Sequence, residues 1–205
     1  MIIIECEQYE DAWWDARLGV PTVSQFIKIQ TATKDASKQQ EKYLRQLAVE
    51  RVTGKHAGNN YQSYEMKQGH ETEDEARRTF QFITGMEVRQ VGFIFHDEQR
   101  KYGASPDGLM EDAGLEIFCP DYNNALECLF NPKDAVKIAK KYQQIQGSMS
   151  VTEFKRWFFM MYYPGLKPLI QEIHRDNIFI GKLRAELEAF CLKLAMVTKK
   201  LRELQ

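Results

Sequence analysis

Apolar residues fall at helical spacing near the N-terminus, at strand spacing through the middle, and at helical spacing again toward the C-terminus. From Glu7 to Leu18, the positions Ala12, Trp13, Ala16 and Arg17 share a helical side, and Gly19-Val20-Pro21 ends the segment. Ser24 stands where an N-cap opens a short second helix through Ile27. Tyr43, Leu44, Leu47 and Ala48 mark an amphipathic helix predicted over Ser37 to Val52 and closed by Gly54. Another helix is expected from Tyr64 to Phe82, with Ala76, Phe80 and Ile83 on its apolar side.

After Gly85 the period shortens. Val88, Val91, Phe93 and Phe95 form a β-rich run, and Asp97 to Arg100 is a polar turn. Lys101 to Ala104 re-enters a strand, Ser105-Pro106-Asp107-Gly108 has turn chemistry, and Leu115 to Cys119 is a strand stopped by Pro120. A helix over Ala139 to Val151 follows, then strands over Trp157 to Tyr163 and Leu169 to Ile173. The last helix, Asn177 to Leu204, carries Leu183, Leu187, Phe190, Leu194, Val197 and Leu201 on one stripe. This order predicts an α/β fold with a mixed, twisted central sheet flanked by helices. Without repeats, low-complexity tracts or linkers, residues 1–205 are expected to form a single domain.

Composition narrows the class. With 43% hydrophobic residues the chain can bury a core, which excludes disorder. Its 28 basic and 29 acidic residues exclude a generally basic coating but not a local basic patch. No apolar run reaches the ~18 residues of a membrane span, and the N-terminus lacks signal-peptide features, so a cytoplasmic protein without membrane contact is expected. Cys6, Cys119, Cys128 and Cys191 show no C-x-x-C spacing, and His56, His70, His96 and His174 form no HExxH pair, which argues against zinc.

The informative stretch joins Ser105-Pro106-Asp107-Gly108 to Leu115-Glu116-Ile117-Phe118-Cys119-Pro120. If Asp107 ends one strand and Glu116 lies in its antiparallel neighbour, the two carboxylates stand side by side. Such a pair repels unless a divalent cation lies between, and hard oxygen donors suit Mg²⁺ or Mn²⁺. That chemistry serves displacement at phosphorus. The alternative is a plain turn aspartate and a solvent-facing strand glutamate.

These motifs, S-P-D-G followed by L-E-[IL]-K-C-P, resemble the core of the lambda-type (YqaJ-like) alkaline exonucleases, within the PD-(D/E)XK nuclease superfamily. Further blocks follow in the family's order. They are Glu7-Gln8…Asp11-Ala12-Trp13…Arg17-Leu18-Gly19-Val20…Thr22…Ser24, then Gly69…Glu73…Ala76-Arg77…Phe80, then Tyr142…Gln144…Gln146…Ser148-Met149…Val151-Thr152. The resemblance implies Asp107, Glu116 and the main-chain oxygen of Ile117 as metal ligands. It implies Glu73 as an upstream acid and Gln144 as an orienter of the attacking water. Read by itself, Glu73 is a helix charge pairing with Arg77 at i+4. Arg17 and Ser24 match the residues that hold a 5′-terminal phosphate, and Ser105 either contacts phosphate or closes the turn. The implied activity is Mg²⁺-dependent 5′-to-3′ digestion of linear double-stranded DNA that leaves 3′ tails. The implied partners are a single-strand annealing protein and two further copies of the chain, in a homotrimeric ring. The implied setting is phage or prophage recombination in a bacterial cytoplasm.

One position departs from the pattern. Where the family has the lysine of E-x-K, this chain has Phe118, which offers neither charge nor hydrogen bond. Either the lysine was removed to trap DNA uncut, or a natural chain lost or relocated it. The departure implies an impaired or inactive nuclease, with a non-catalytic DNA-end-binding protein of the same fold as the alternative. Restoring lysine at position 118 is then expected to raise cleavage by orders of magnitude. Should another residue hold the role, Lys140 is the first suspect. Lys133, Lys137, Lys140 and Lys141 are expected to share a helix face toward a DNA backbone. Trp13-Trp14 and Trp157-Phe158-Phe159 are read chiefly as core, and Cys119 as buried and inert.

Overall fold

The computed structural model describes residues 1–30, 34–57 and 64–204, leaving out the side chains of 34–37 and 64–71. Ser37 as a helix start, and Gly69 and His70, therefore lie outside the described side chains.

The chain is mixed α/β, as its pattern predicts, with the strands divided between two sheets. Strand β1 (Ile2–Ile4) pairs antiparallel with β2 (Phe93–Phe95), which pairs antiparallel with β3 (Gly103–Ala104). The larger sheet runs in order β4 (Gly108–Leu109), β5 (Ala113–Phe118), β6 (Arg156–Met161) and β7 (Leu169–His174). β5 and β6 are parallel, so a crossover must join them. It consists of α4 (Tyr122–Phe130), a 3₁₀ turn (Pro132–Asp134), α5 (Ala135–Ile138) and α6 (Tyr142–Thr152). Strands enclosed on both sides read as unbroken apolar runs. Trp157 to Met161 obeys this and is buried throughout.

Two outer helices complete the layers. Ala76 and Phe80 of α3 (Tyr64–Thr84) pack on Ala113, Leu115 and Ile117, one alternating face of β5. The opposite face carries Glu116 and Phe118, and Phe118 packs against the main core. α7 (Asn177–Arg202) is capped by Asp176 Oδ1, which accepts from the backbone N–H groups of Ile178 and Phe179. Its buried Leu183, Leu187, Phe190 and Leu194 join the same core as Tyr43, Leu44 and Leu47 of α2 (Lys34–Thr53).

Several expectations need correction. Thr22, not Ser24, is the N-cap of the second helix, a 3₁₀ segment over Val23–Lys28, because Thr22 is held extended by a bridge to Gly103. Ser24 lies inside that segment, exposed. Ile83, one residue before α3 ends, is half exposed rather than packed with Ala76 and Phe80. The helix predicted from Ala139 begins only at Tyr142, since Lys140 takes a left-handed backbone, φ 55°, that breaks the spiral. Lys133, Lys137, Lys140 and Lys141 consequently occupy separate segments and share no helix face. Val88 and Val91 are buried outside the strands, while β1 and α4 went unpredicted.

Candidate active site

The turn between the two sheets places the first carboxylate. After β3 the chain passes through Ser105-Pro106-Asp107 and pairs again as β4, with Gly108 opposite Leu115 and Leu109 opposite Gly114. Extending that register by one residue sets Asp107 opposite Glu116, as the hairpin reading expects. A Cβ at Gly108 would meet Val88 Cγ1 at 2.3 Å, so only glycine lets the strand approach this closely. Asp107 Oδ2 accepts from the backbone N–H of Ile117 at 2.6 Å, and Gln8 Nε2 donates to the carbonyl of Pro106 at 2.9 Å. The turn is thus fixed from both sides.

Glu116 is 1% exposed, on an inner strand. Its Oε1 accepts from Gln144 Nε2 at 2.8 Å and from Lys141 Nζ at 2.6 Å, both at the start of α6. Its Oε2 is buried with no hydrogen-bond partner among the described residues. A buried, unpartnered carboxylate oxygen costs free energy unless something coordinates it. Burial, then the nearby Asp107 charge, pushes the Glu116 carboxyl above the ordinary carboxylate range despite the pull of Lys141 and Gln144. Lys141 answers oppositely. Burial works to lower its pKa, but Glu116, Asp107 and Glu73 together hold it above its usual value.

Glu73 enters from α3. Arg77, 7% exposed, donates from Nη2 to Glu73 Oε1 at 2.9 Å and from Nε to the carbonyl of Asp107 at 2.8 Å. The i+4 pair read from sequence therefore exists, and it also clamps α3 to the turn. Burial, then Asp107, raises the Glu73 pKa against the pull of Arg77. Among the described residues no three Asp, Glu, His or Cys side chains converge on one metal position. The donor set is two carboxylates, with main-chain oxygen such as that of Ile117 and water left to complete it. Crowded acids with raised pKa values and an orphaned carboxylate oxygen fit a hard divalent cation.

Arg17 ends α1 (Asp11–Arg17) and reaches the same turn. Its Nη1 donates to Ser105 Oγ at 3.0 Å, Trp13 Nε1 donates to the same oxygen at 2.8 Å, and the guanidinium lies 4.0 Å from the Trp13 ring centroid. Burial lowers the Arg17 pKa to about 10, which leaves it charged at neutral pH. The Arg17 side chain also lines a pocket of about 270 Å³ with Thr22, Gln25, Lys28 and His56, and Ser24 is not part of that lining. Glu116 and Gln144 thus touch, Asp107 stands opposite Glu116 in register, and Arg77 ties Glu73 to the same turn. Arg17 and Ser105 join each other beside them, and Ser24 Oγ lies 3.4 Å from Thr22 Oγ1 at the edge of the Arg17 pocket.

Sequence reasoning missed two contributions. Lys141 was read as part of a basic face, although its position three residues before Gln144 on a helix was a usable signal. Trp13 was assigned to the core, yet its indole also fixes Ser105. Cys119 is only half-buried, and burial, then Glu73 and Asp107, pushes its thiol up to about 12, so it is inert.

Among solved structures, the alkaline exonuclease LHK-Exo from Laribacter hongkongensis superposes with TM-score 0.81 at 28% identity, covering 95% of this chain and 97% of that one. The same enzyme in complex with dAMP gives TM-score 0.82 at the same identity and coverage. A phage-related exonuclease from Haemophilus somnus 129PT, 15% identical over 91% of this chain and 96% of that one, shares the fold with TM-score 0.64. No curated protein sequence matches the chain. Residues 12–155, more than half of the chain, match the YqaJ-like viral recombinase domain and include Glu73, Asp107, Glu116 and Gln144, so the chain belongs to that family.

Proposed function

We propose that the protein is a Mg²⁺-dependent exonuclease that digests linear double-stranded DNA from the 5′ end and leaves 3′ single-stranded tails. The observation that carries this reading is the Glu116 carboxylate, which stands in register with Asp107 and keeps one buried oxygen without a hydrogen-bond partner among the described residues. Asp107, Glu116 and the main-chain oxygen of Ile117 would hold the cation, with Mn²⁺ as a substitute. Such a cation makes bound water a stronger nucleophile and offsets negative charge at phosphorus. Gln144 orients the water from its place on Glu116, and Glu73 stands ready to take or hold a proton beside it. Arg17, braced on Trp13 and Ser105, grips the 5′-terminal phosphate, and the exposed hydroxyl of Ser24 adds a contact from the neighbouring segment.

The wider reading is a recombination nuclease of phage or prophage origin in a bacterial cytoplasm. It would feed its tails to a single-strand annealing protein and work as a homotrimeric ring, with residues 1–205 as one domain. Exposed apolar residues such as Phe82 and Phe130 supply surface for assembly, and no helix of the described residues is long and apolar enough to cross a membrane. Phe118 favours a second reading, a DNA-end-binding protein that does not cut.

Digestion assays on linear and closed-circular duplex, with or without a 5′ phosphate and with Mg²⁺ or EDTA, separate these readings. The exonuclease releases mononucleotides only from linear, phosphorylated duplex with Mg²⁺. The end-binder retains linear duplex and releases nothing. Cutting of closed circles contradicts both.

A further inference from the structure

We propose that Lys141 supplies the ammonium that Phe118 cannot, so that the lysine of this nuclease site has moved from the strand to the start of the facing helix. The inference rests on the exonuclease reading above and deepens it by naming a catalytic residue.

The geometry is specific. Lys141 Nζ lies 2.6 Å from Glu116 Oε1 and 3.3 Å from Gln144 Oε1, beside the carboxylate that a lysine at position 118 would flank. Both donors to Glu116, Lys141 and Gln144, use Oε1, and the buried Oε2 has no hydrogen-bond partner among the described residues. The lysine therefore does not take the oxygen that a metal needs. Its side chain is 24% exposed against 1% for Glu116, which puts the ammonium between the buried acid and the solvent from which phosphate arrives.

The backbone explains how it gets there. Lys140, in its left-handed conformation, ends the preceding helical segment and lets α6 start afresh with Lys141 as its N-cap residue. Lys141 and Gln144, three apart, then project on one side of the helix. Lys140 itself lines a separate hollow with Lys133, Lys137 and Tyr142, so the proposal gives the role to its neighbour instead. Position 118 has meanwhile joined the core, where Phe118 stacks against Phe159 with ring centroids 6.3 Å apart.

The step to be served is hydrolysis of a phosphodiester. Water adds its oxygen to phosphorus and gives up a proton. The P–O3′ bond breaks with its electron pair on O3′, which takes a proton up. Lys141 keeps its own protons throughout, and its fixed charge steadies the negative charge that grows on the phosphate oxygens.

The test is single-turnover digestion of 5′-phosphorylated linear duplex in saturating Mg²⁺ by the wild type and by Lys141→Met, with duplex-end affinity and calorimetric Mn²⁺ binding measured on both. The wild type cuts. Lys141→Met loses ~10²–10³-fold in cleavage rate while end affinity and Mn²⁺ affinity stay within about threefold. Lys141→Gln, which keeps a donor to Glu116, covers the case in which methionine unsettles the fold, and it shows the same loss. A wild type that holds ends without cutting overturns the inference and leaves the end-binding reading standing. Cutting at the wild-type rate by Lys141→Gln overturns it and leaves the exonuclease reading intact. Equal losses of cutting and of Mn²⁺ binding also overturn it, because the lysine then only props the carboxylate. Phe118→Lys with Lys141 in place gains less than about tenfold, and a gain of ~10²–10³-fold marks position 118 as the still-vacant place and overturns it.

Discussion

At Ser105 one hydroxyl oxygen accepts from both Trp13 and Arg17, two residues before the aspartate of the site. The proposed phosphate-binding side and the proposed metal side are thus linked through one short turn. Arg17→Met keeps a long apolar stem against Trp13 and removes only the charge and its donors. It should cost about 1.5–3 kcal/mol in affinity for a phosphorylated end, roughly ten- to a hundredfold, and leave hydroxyl ends unaffected. Binding titrations with the two kinds of end measure this, and equal losses on both would place the terminal phosphate elsewhere. At this scale the acid pair was legible because an antiparallel turn fixes which residues face each other, whatever the rest of the fold does. The contact of Lys141 with Glu116 was not, since it depends on a left-handed residue at 140 that no local preference for lysine announces. Ser24 was misplaced for a similar reason: the helix start is set by a contact between Thr22 and Gly103, which are distant in sequence.

Among the elements, the long helices follow from their own periodicity, whereas the division into two sheets does not. β1 is three residues long and finds its partner at Phe93–Phe95, a pairing that carries almost no local signal. The break between the sheets falls at Ser105-Pro106-Asp107, where proline has no N–H to continue a ladder. α4 escaped notice although Asp121 caps it by accepting from the backbone N–H of Asn124 at 3.0 Å. The parallel pair β5 and β6 holds Glu116 in place, and Gly114 is where the two are tightest. A Cβ there would meet Trp157 ring carbons at 2.2 to 2.4 Å. Gly114→Ala should therefore destabilise the protein by about 1–3 kcal/mol, because a buried indole cannot swing aside. Thermal melting should fall by about 2–4 °C per kcal/mol, and an unchanged midpoint would mean that the sheet gives way at little cost.

The whole molecule pays for its site with buried acids. Glu73 and Glu116 have raised pKa values, so without a cation the folded protein binds protons there that the unfolded chain releases. Stability from these groups is full below the ordinary carboxylate range and is lost as pH rises through their raised values. The melting temperature in EDTA should fall between about pH 5 and about pH 8, and Mg²⁺ should flatten that slope. Parallel slopes with and without Mg²⁺ would show that the cation does not sit among these acids. The central claim, that the β4–β5 pair is the metal site of an end-resecting nuclease, is tested most directly by Asp107→Asn. An asparagine oxygen can still accept from the Ile117 N–H, so the turn is kept while the charge is lost. The measurement is mononucleotide release from 5′-phosphorylated linear duplex in Mg²⁺, wild type against variant. Release by the wild type, and its loss in Asp107→Asn with end binding retained, is the predicted result; release at equal rates from both proteins would contradict the account.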